Sequence, residues 1–255
     1  MQNTNTAHEA PLRSFRITVP EPAQSGVAAL LEEEGFRFEP EPFSACCRRL
    51  TAEPRPLGSS LAAFFGLIYI QDRSSMLPPL ALAPEKGAAV LDMCASPGSK
   101  TGFLAQLVGP GGFVLANEVS HSRLFTLRQN LRVCNFLQAG TCSYEGQNIP
   151  LAPGSLRYIQ LDPPCSGWGT AVKNPKVMAL WHDDKVKPLI GLQRLLLRRA
   201  AELLAPGGVV VYSTCTTNSG ENERQVEYAE ACLGLTREPL APFPGFYWDD
   251  REGSE

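Results

Sequence analysis

Apolar and polar positions along this chain fall into short blocks whose period changes several times. Phe15, Ile17 and Val19 recur at every second residue, the spacing of a half-buried strand. Residues 22–34 follow a helical pattern that Gly35 stops. Phe36 and Phe38 predict a second strand, interrupted by Pro40 and Pro42. From residue 88 the texture changes. Residues 88–92, 113–117, 158–161 and 209–212 are compact apolar runs bounded by turn residues, the form of fully buried strands, with a weaker run at 139–143. Helical stretches lie between them, at about 100–108, 122–133 and 187–204. On the last of these, Arg194, Arg198 and Glu202 share one stripe, and Leu192, Leu195, Leu196 and Leu203 another. A final helix is expected to open at an Asn218 cap, with Glu221 three residues on, and to run to about Cys232. Strands alternating with helices predict a doubly wound α/β domain over residues 57–255. Residues 1–56 form a small α/β unit closed by the linker Glu53-Pro54-Arg55-Pro56.

Composition narrows the class. A chain of 255 residues, 44% hydrophobic and 19% charged, suits one large domain with a small appendage. The first residues are polar, and the longest apolar run, 61–70, is too short to cross a bilayer. The expectation is a cytoplasmic monomer with no membrane attachment. The eight cysteines show no C-x-x-C pair, and the three histidines have no metal-ligand spacing, so no metal site is expected and the thiols are read as reduced. Net charge is −3, which does not mark a nucleic-acid binder. Its distribution is uneven. Lys173, Lys176, Lys185, Lys187, Arg194, Arg198 and Arg199 stand against Asp183 and Asp184, a patch that fits a polyanion and equally a solvated helix face.

Candidate chemistry gathers at the strand ends. After residues 88–92 comes Met93-Cys94-Ala95-Ser96-Pro97-Gly98-Ser99-Lys100, with Ser96 placed to cap the next helix and Pro97 at its first position. Such a turn offers backbone N–H groups to a polar ligand. The chain lacks G-x-G-x-x-G and the P-loop pattern, which disfavours a dinucleotide or a phosphate and leaves S-adenosylmethionine. Glu118, ending the second strand, suits ribose hydroxyls, or is an ordinary carboxylate at a helix start. Residues 158–161 lead into Asp162-Pro163-Pro164-Cys165, and residues 209–212 lead into Ser213-Thr214-Cys215-Thr216. If these runs are neighbours in a parallel sheet, about 4.8 Å apart, both thiols leave one edge and approach one small planar substrate. Asp-Pro-Pro followed by an aromatic ring would suit methylation of an amino group; Cys165 in that place argues for chemistry that needs a thiol.

Five motifs, 71–78, 91–101, Asn117-Glu118, 162–167 and 213–216, together resemble the Sun/Nop-type RNA cytosine-5 methyltransferases over about residues 57–235. Within that family the chain looks closest to the bacterial ribosomal-RNA and archaeal transfer-RNA branches. The resemblance implies a Rossmann-like S-adenosylmethionine-dependent methyltransferase fold with an RNA-binding-like N-terminal domain. It implies Cys215 as the thiol that attacks carbon 6 of cytosine, Cys165 as the thiol that aids product release, and Asp162 with Lys100 as the groups that hold the base. Carbon 5 becomes enamine-like once the thiolate has added, which is the physical sense of the scheme. The donor would be bound by Cys94, Ala95, Ser96, Pro97, Gly98, Ser99, Lys100, Glu118, Arg123, Glu145 and Asp162. Glu145 falls where the family usually has the shorter Asp. The RNA partner would be ribosomal RNA, with transfer RNA as the alternative; a non-catalytic RNA-binding factor retaining the fold is a third reading. The target cytosine must be unstacked to reach such a pocket. Two departures stand out. No further RNA-binding domain follows, and after residues 235–240 only Gly245-Phe246-Tyr247-Trp248 offers an apolar run to close the sheet. The expectation is a sheet short of a strand, or a fragment of a longer protein.

Overall fold

A computed structural model describes residues 13–171, 174, 177 and 183–246. It divides into two compact units, one of residues up to Ser74 together with those from Phe243, the other Ser75–Pro242.

The first unit is a four-stranded antiparallel sheet of order β2-β3-β1-β4, with β1 Ser14–Ile17, β2 Arg37–Glu41, β3 Ser44–Ala52 and β4 Ile68–Ile70. Helix α1 (Glu21–Glu33) has Pro22 in its first turn and gives way to Gly35 at φ 90°. It buries Val27 and Leu31 in a core with Phe15, Ile17, Phe36, Leu50, Leu57, Ala62 and Ile68. The unit boundary lies at 74, not at 56 as the linker composition implied, because β4 pairs with β1. Strand β3 escapes sequence periodicity for a simple reason. Its two buried apolar residues, Cys47 and Leu50, are three apart and so face opposite sides of the sheet. Pro40 does not end β2, since β2 is an edge strand and tolerates a residue that cannot donate.

In the second unit, β5 (Ala89–Asp92), β6 (Phe113–Asn117), β7 (Ala139–Cys142), β8 (Leu156–Leu161) and β9 (Leu204–Tyr212) form one parallel sheet of order β7-β6-β5-β8-β9. Helix α2 (Leu61–Phe64) belongs to the first unit, and the short helix α3 (Leu77–Leu82) precedes the sheet of the second. Along β5 the residues alternate faces. Val90 packs with Leu104, Ala105 and Val108 of α4 (Ser99–Val108) and Leu124, Leu127 and Leu131 of α5 (His121–Val133). Leu91 turns the other way, to Leu196, Leu197, Ala200 and Leu203 of α6 (Asp183–Leu203). The predicted doubly wound domain is therefore present. The chain runs outward from β5 to β7, then returns to lay β8 on the other side of β5, so the crevice between β5 and β8 is the switch point where such sheets bind ligands.

The basic stripe of α6 serves packing as well as solvent. Arg199 donates to the carbonyls of Ile149 and Leu151, Arg194 lies over the Tyr228 ring, and Arg198 donates to the Tyr228 hydroxyl. Lys173 and Lys176 lie outside the described residues, as do Tyr247 and Trp248 of the expected closing strand. Among the described residues no strand follows β9, and no helix is long and apolar enough to cross a membrane.

Candidate active site

Four strand tips converge at the carboxyl edge. The β5 tip carries Asp92, only 1% exposed. Its Oδ2 accepts from Thr101 Oγ1 at 2.6 Å, while the buried Oδ1 makes no hydrogen bond to any described residue. Burial pushes its pKa up to about 6, against the hydrogen bond from Thr101 and the charge of Lys100, which favour the anion. Cys94 beside it is pushed well above the usual thiol range, first by burial and then by the charges of Asp92, Asp162 and Glu118. The turn into α4 differs from the one expected. The helix begins at Ser99 and its cap is Gly98, at φ 104°, so Ser96 and Pro97 stand outside it. The left-handed backbone at Gly98 reverses the chain, a conformation glycine takes without a Cβ clash. Ser96 Oγ consequently donates to the carbonyl of Arg123 at 2.9 Å instead of capping, and Arg123 Nη2 donates to the carbonyl of Ser96 at 2.8 Å.

At the β6 tip, buried Asn117 ties three loops together. Its Nδ2 donates to the carbonyls of Met93 and Tyr144, and its Oδ1 accepts from the Tyr144 N–H. Glu118 is 3% exposed; one carboxylate oxygen accepts from the Ser120 N–H at 2.9 Å and the other pairs with Arg123 Nε at 3.5 Å. Glu145, after β7, is exposed and accepts from Gln147 and Asn148.

The loops after β8 and β9 carry Asp162, Cys165, Ser213 and Cys215. Registering Leu161 against Tyr212 brings the following loops side by side. Asp162 Oδ2 accepts from Lys100 Nζ at 2.5 Å, and its Oδ1 from Ser213 Oγ at 2.9 Å. Ser213 is steadied in turn by Gln160 Nε2 at 3.3 Å. Cys165 Sγ lies 3.3 Å from Cys215 Sγ, a contact between two free thiols, with Cys165 half-buried and Cys215 exposed. The hydrogen bond from Cys165 pulls the Cys215 pKa down to about 7, with Lys100 helping and burial and Asp162 opposing. The same contact holds Cys165 protonated, its pKa raised by its donation to Cys215 and by burial. The contact therefore favours the thiolate on Cys215, the exposed member, and the thiol on Cys165. The two cysteines share one edge because β8 and β9 are neighbours, the condition on which the sequence reading placed them together.

Sequence reasoning missed the supports. Glu221 was expected to cap a helix with Asn218; instead the last helix, α7 (Glu223–Leu233), starts later and Asn222 sits at its cap. Asn218 Oδ1 accepts from the Gly220 N–H, a local turn that competes with capping. The buried Glu221 carboxylate turns to Ser166. The signal that could have found it is the run Ser219-Gly220 just before Glu221, which breaks a helix where the capping pattern would start one.

The sheet order, the glycine turn after β5 and the carboxylates at successive strand tips define the Rossmann-like fold of the S-adenosylmethionine-dependent methyltransferases. A solved methyltransferase homologue from Pyrococcus horikoshii superimposes with a TM-score of 0.75 at 35% identity, covering 87% of this chain and 70% of that one. The chain belongs to the family described as 16S rRNA methyltransferase RsmB/F, which matches residues 79–232. A ribosomal RNA small subunit methyltransferase F from Serratia proteamaculans is 38% identical over 96% of this chain and 53% of its own length. One from Shewanella amazonensis is 38% identical over 84% of this chain and 47% of its own. The chain spans about half the length of these curated relatives.

Proposed function

We propose that this chain methylates carbon 5 of a cytosine in ribosomal RNA, with S-adenosylmethionine as donor and Cys215 as a covalent nucleophile. The observation that carries the reading is the thiol pair, 3.3 Å apart, beside the Lys100–Asp162 ion pair. The ribosomal substrate follows from the names of the curated relatives.

The donor fits the β5–β6 half of the edge. A buried acceptor without a partner among the described residues, Asp92 Oδ1, and the Glu118 carboxylate suit an ammonium and hydroxyl donors. Residues 94–100, Glu118, Arg123 and Glu145 would hold it, and when bound it supplies an electrophilic methyl group.

The chain's own groups do the rest. The Cys215 thiolate adds to carbon 6 of the ring, forming a carbon–sulfur bond and moving electron density to carbon 5. Lys100 and Asp162, held in place by Ser213, face the ring nitrogen and carbonyl where charge develops. After methyl transfer a base takes the carbon-5 proton, the electrons of that carbon–hydrogen bond restore the carbon 5–carbon 6 double bond, the carbon–sulfur bond breaks, and Cys215 leaves as thiolate. Cys165, protonated and in contact with that sulfur, stabilises the departing charge.

The test is methylation of small-subunit ribosomal RNA with isotopically labelled donor, followed by digestion to nucleosides. Label in 5-methylcytidine is the expected result. Label in another nucleoside, or none, would overturn the proposal.

A further inference from the structure

Cys165 and Cys215 stand on separate loops, after β8 and β9, and a sulfur–sulfur contact between loops needs something to hold it. One dipeptide reaches both. The Glu221 carboxylate is buried and accepts from the Ser166 N–H at 2.9 Å, from Ser166 Oγ at 2.5 Å and from Gln193 Nε2 at 3.0 Å. Gln193 also donates to the Pro164 carbonyl at 2.9 Å, so the residues on both sides of Cys165 are gripped. Asn222 does the same for the other loop. Its Oδ1 accepts from Thr214 Oγ1 at 2.6 Å and its Nδ2 donates to the Thr216 carbonyl at 2.9 Å, the two neighbours of Cys215. The two grips join where Ser166 Oγ meets Thr216 Oγ1 at 2.6 Å. A carboxylate met by three donors at this depth is costly to bury for packing alone, since an apolar side chain would fill the space without desolvating a charge.

The geometry points to Glu221 and Asn222 as positioning residues that set the separation of the two thiols, one residue per cysteine loop. Both side chains spend their hydrogen bonds on the two loops and on Gln193, and so act through the cysteines. This inference rests on the two-thiol mechanism above and says what makes that pair.

The experiment reads the thiol directly and needs neither donor nor RNA, so its failure is distinct from failure of the methylation assay. Cys215 is pulse-alkylated with iodoacetamide across a pH series in the full chain, and its modification is followed peptide by peptide by mass spectrometry. The groups facing Cys215 are Cys165, Lys100 and Asp162, all unchanged in the variants used. In Glu221→Gln and in Asn222→Ala, loss of the Cys165 hydrogen bond raises the Cys215 inflection by about one unit, and alkylation at pH 7 slows roughly fivefold. Removing the Glu221 charge by itself moves the inflection the opposite way, because a nearby anion disfavours a thiolate. A rise therefore reports geometry. Asn222→Ala, which changes no charge, reads the other loop should Glu221→Gln fail to fold. Inflections at or below that of the unaltered chain would overturn the assignment.

Discussion

Cys94, just beyond the tip of β5, and Cys215, beyond the tip of β9, are both thiols on the carboxyl edge of one parallel sheet. Burial and three carboxylates hold Cys94 protonated, whereas a thiol donor and Lys100 draw Cys215 down to about 7. The carboxylates of the two regions differ in the same manner. Asp92 is buried with one oxygen unsatisfied and its pKa raised, while Asp162 is half-buried and holds Lys100 and Ser213. One half of the edge keeps a single buried acceptor, Asp92 Oδ1, without a partner among the described residues. The other half pairs its groups so that the pKa of one thiol falls toward neutrality. The lesson is that residue type does not decide reactivity at this edge; the immediate neighbours do.

Breaking the reactive half has the largest effect. Cys215→Ala should lower methyl transfer by at least about 10³-fold, with donor affinity unchanged within about twofold by titration calorimetry. Asp162→Asn should follow, with a loss of about 10²-fold in kcat and a small change in KM, since the ion pair acts where charge develops. The comparison is sharpened by pH. The single-turnover rate should rise with pH up to about 7 and level off above it, because the reactive form is the thiolate. In Cys165→Ala that inflection should move upward, since the largest cause of the lowered pKa is gone.

The donor half predicts a different trade. The folded pKa of Asp92 is raised above its unfolded value, so its contribution to stability is fully present below about pH 4 and is lost as pH rises through about 6. Asp92→Asn should therefore stabilise the unliganded chain above pH 6 by about 3 kcal/mol in urea unfolding, while weakening donor binding about tenfold. Smallest of all, Cys94→Ser should change kcat by less than about threefold at pH 7, because the silent thiol is already neutral there.

Much of this was legible in the sequence. The runs around Val90-Leu91, Val114 and Ile159 are apolar on both faces because helices cover both faces of the sheet, and such runs announce buried strands. Two apolar runs each ending near a cysteine made the meeting of Cys165 and Cys215 conditional on adjacent strands, and the pairing of β8 with β9 meets that condition. What stayed hidden depended on long-range partners. Nothing in Ser44–Ala52 alternates, since Cys47 and Leu50 serve opposite faces. Glu221 satisfies a capping pattern by spacing, and the Ser166 loop, 55 residues away in the chain, together with Gln193 redirects its carboxylate. Gly98 displaced the predicted Ser96 cap because a positive φ was needed there, and φ is not written in a hydrophobic pattern.

The central claim is that Cys215 is the covalent nucleophile and Cys165 the group that releases it. The most direct measurement is the site of covalent attachment in Cys165→Ala, incubated with S-adenosylmethionine and small-subunit ribosomal RNA, digested, and mapped by mass spectrometry. The expected result is a methylated cytidine bound to the Cys215 sulfur, together with a slowed band on a denaturing gel. A nucleotide on any other residue, or full turnover without an accumulated adduct, would contradict it.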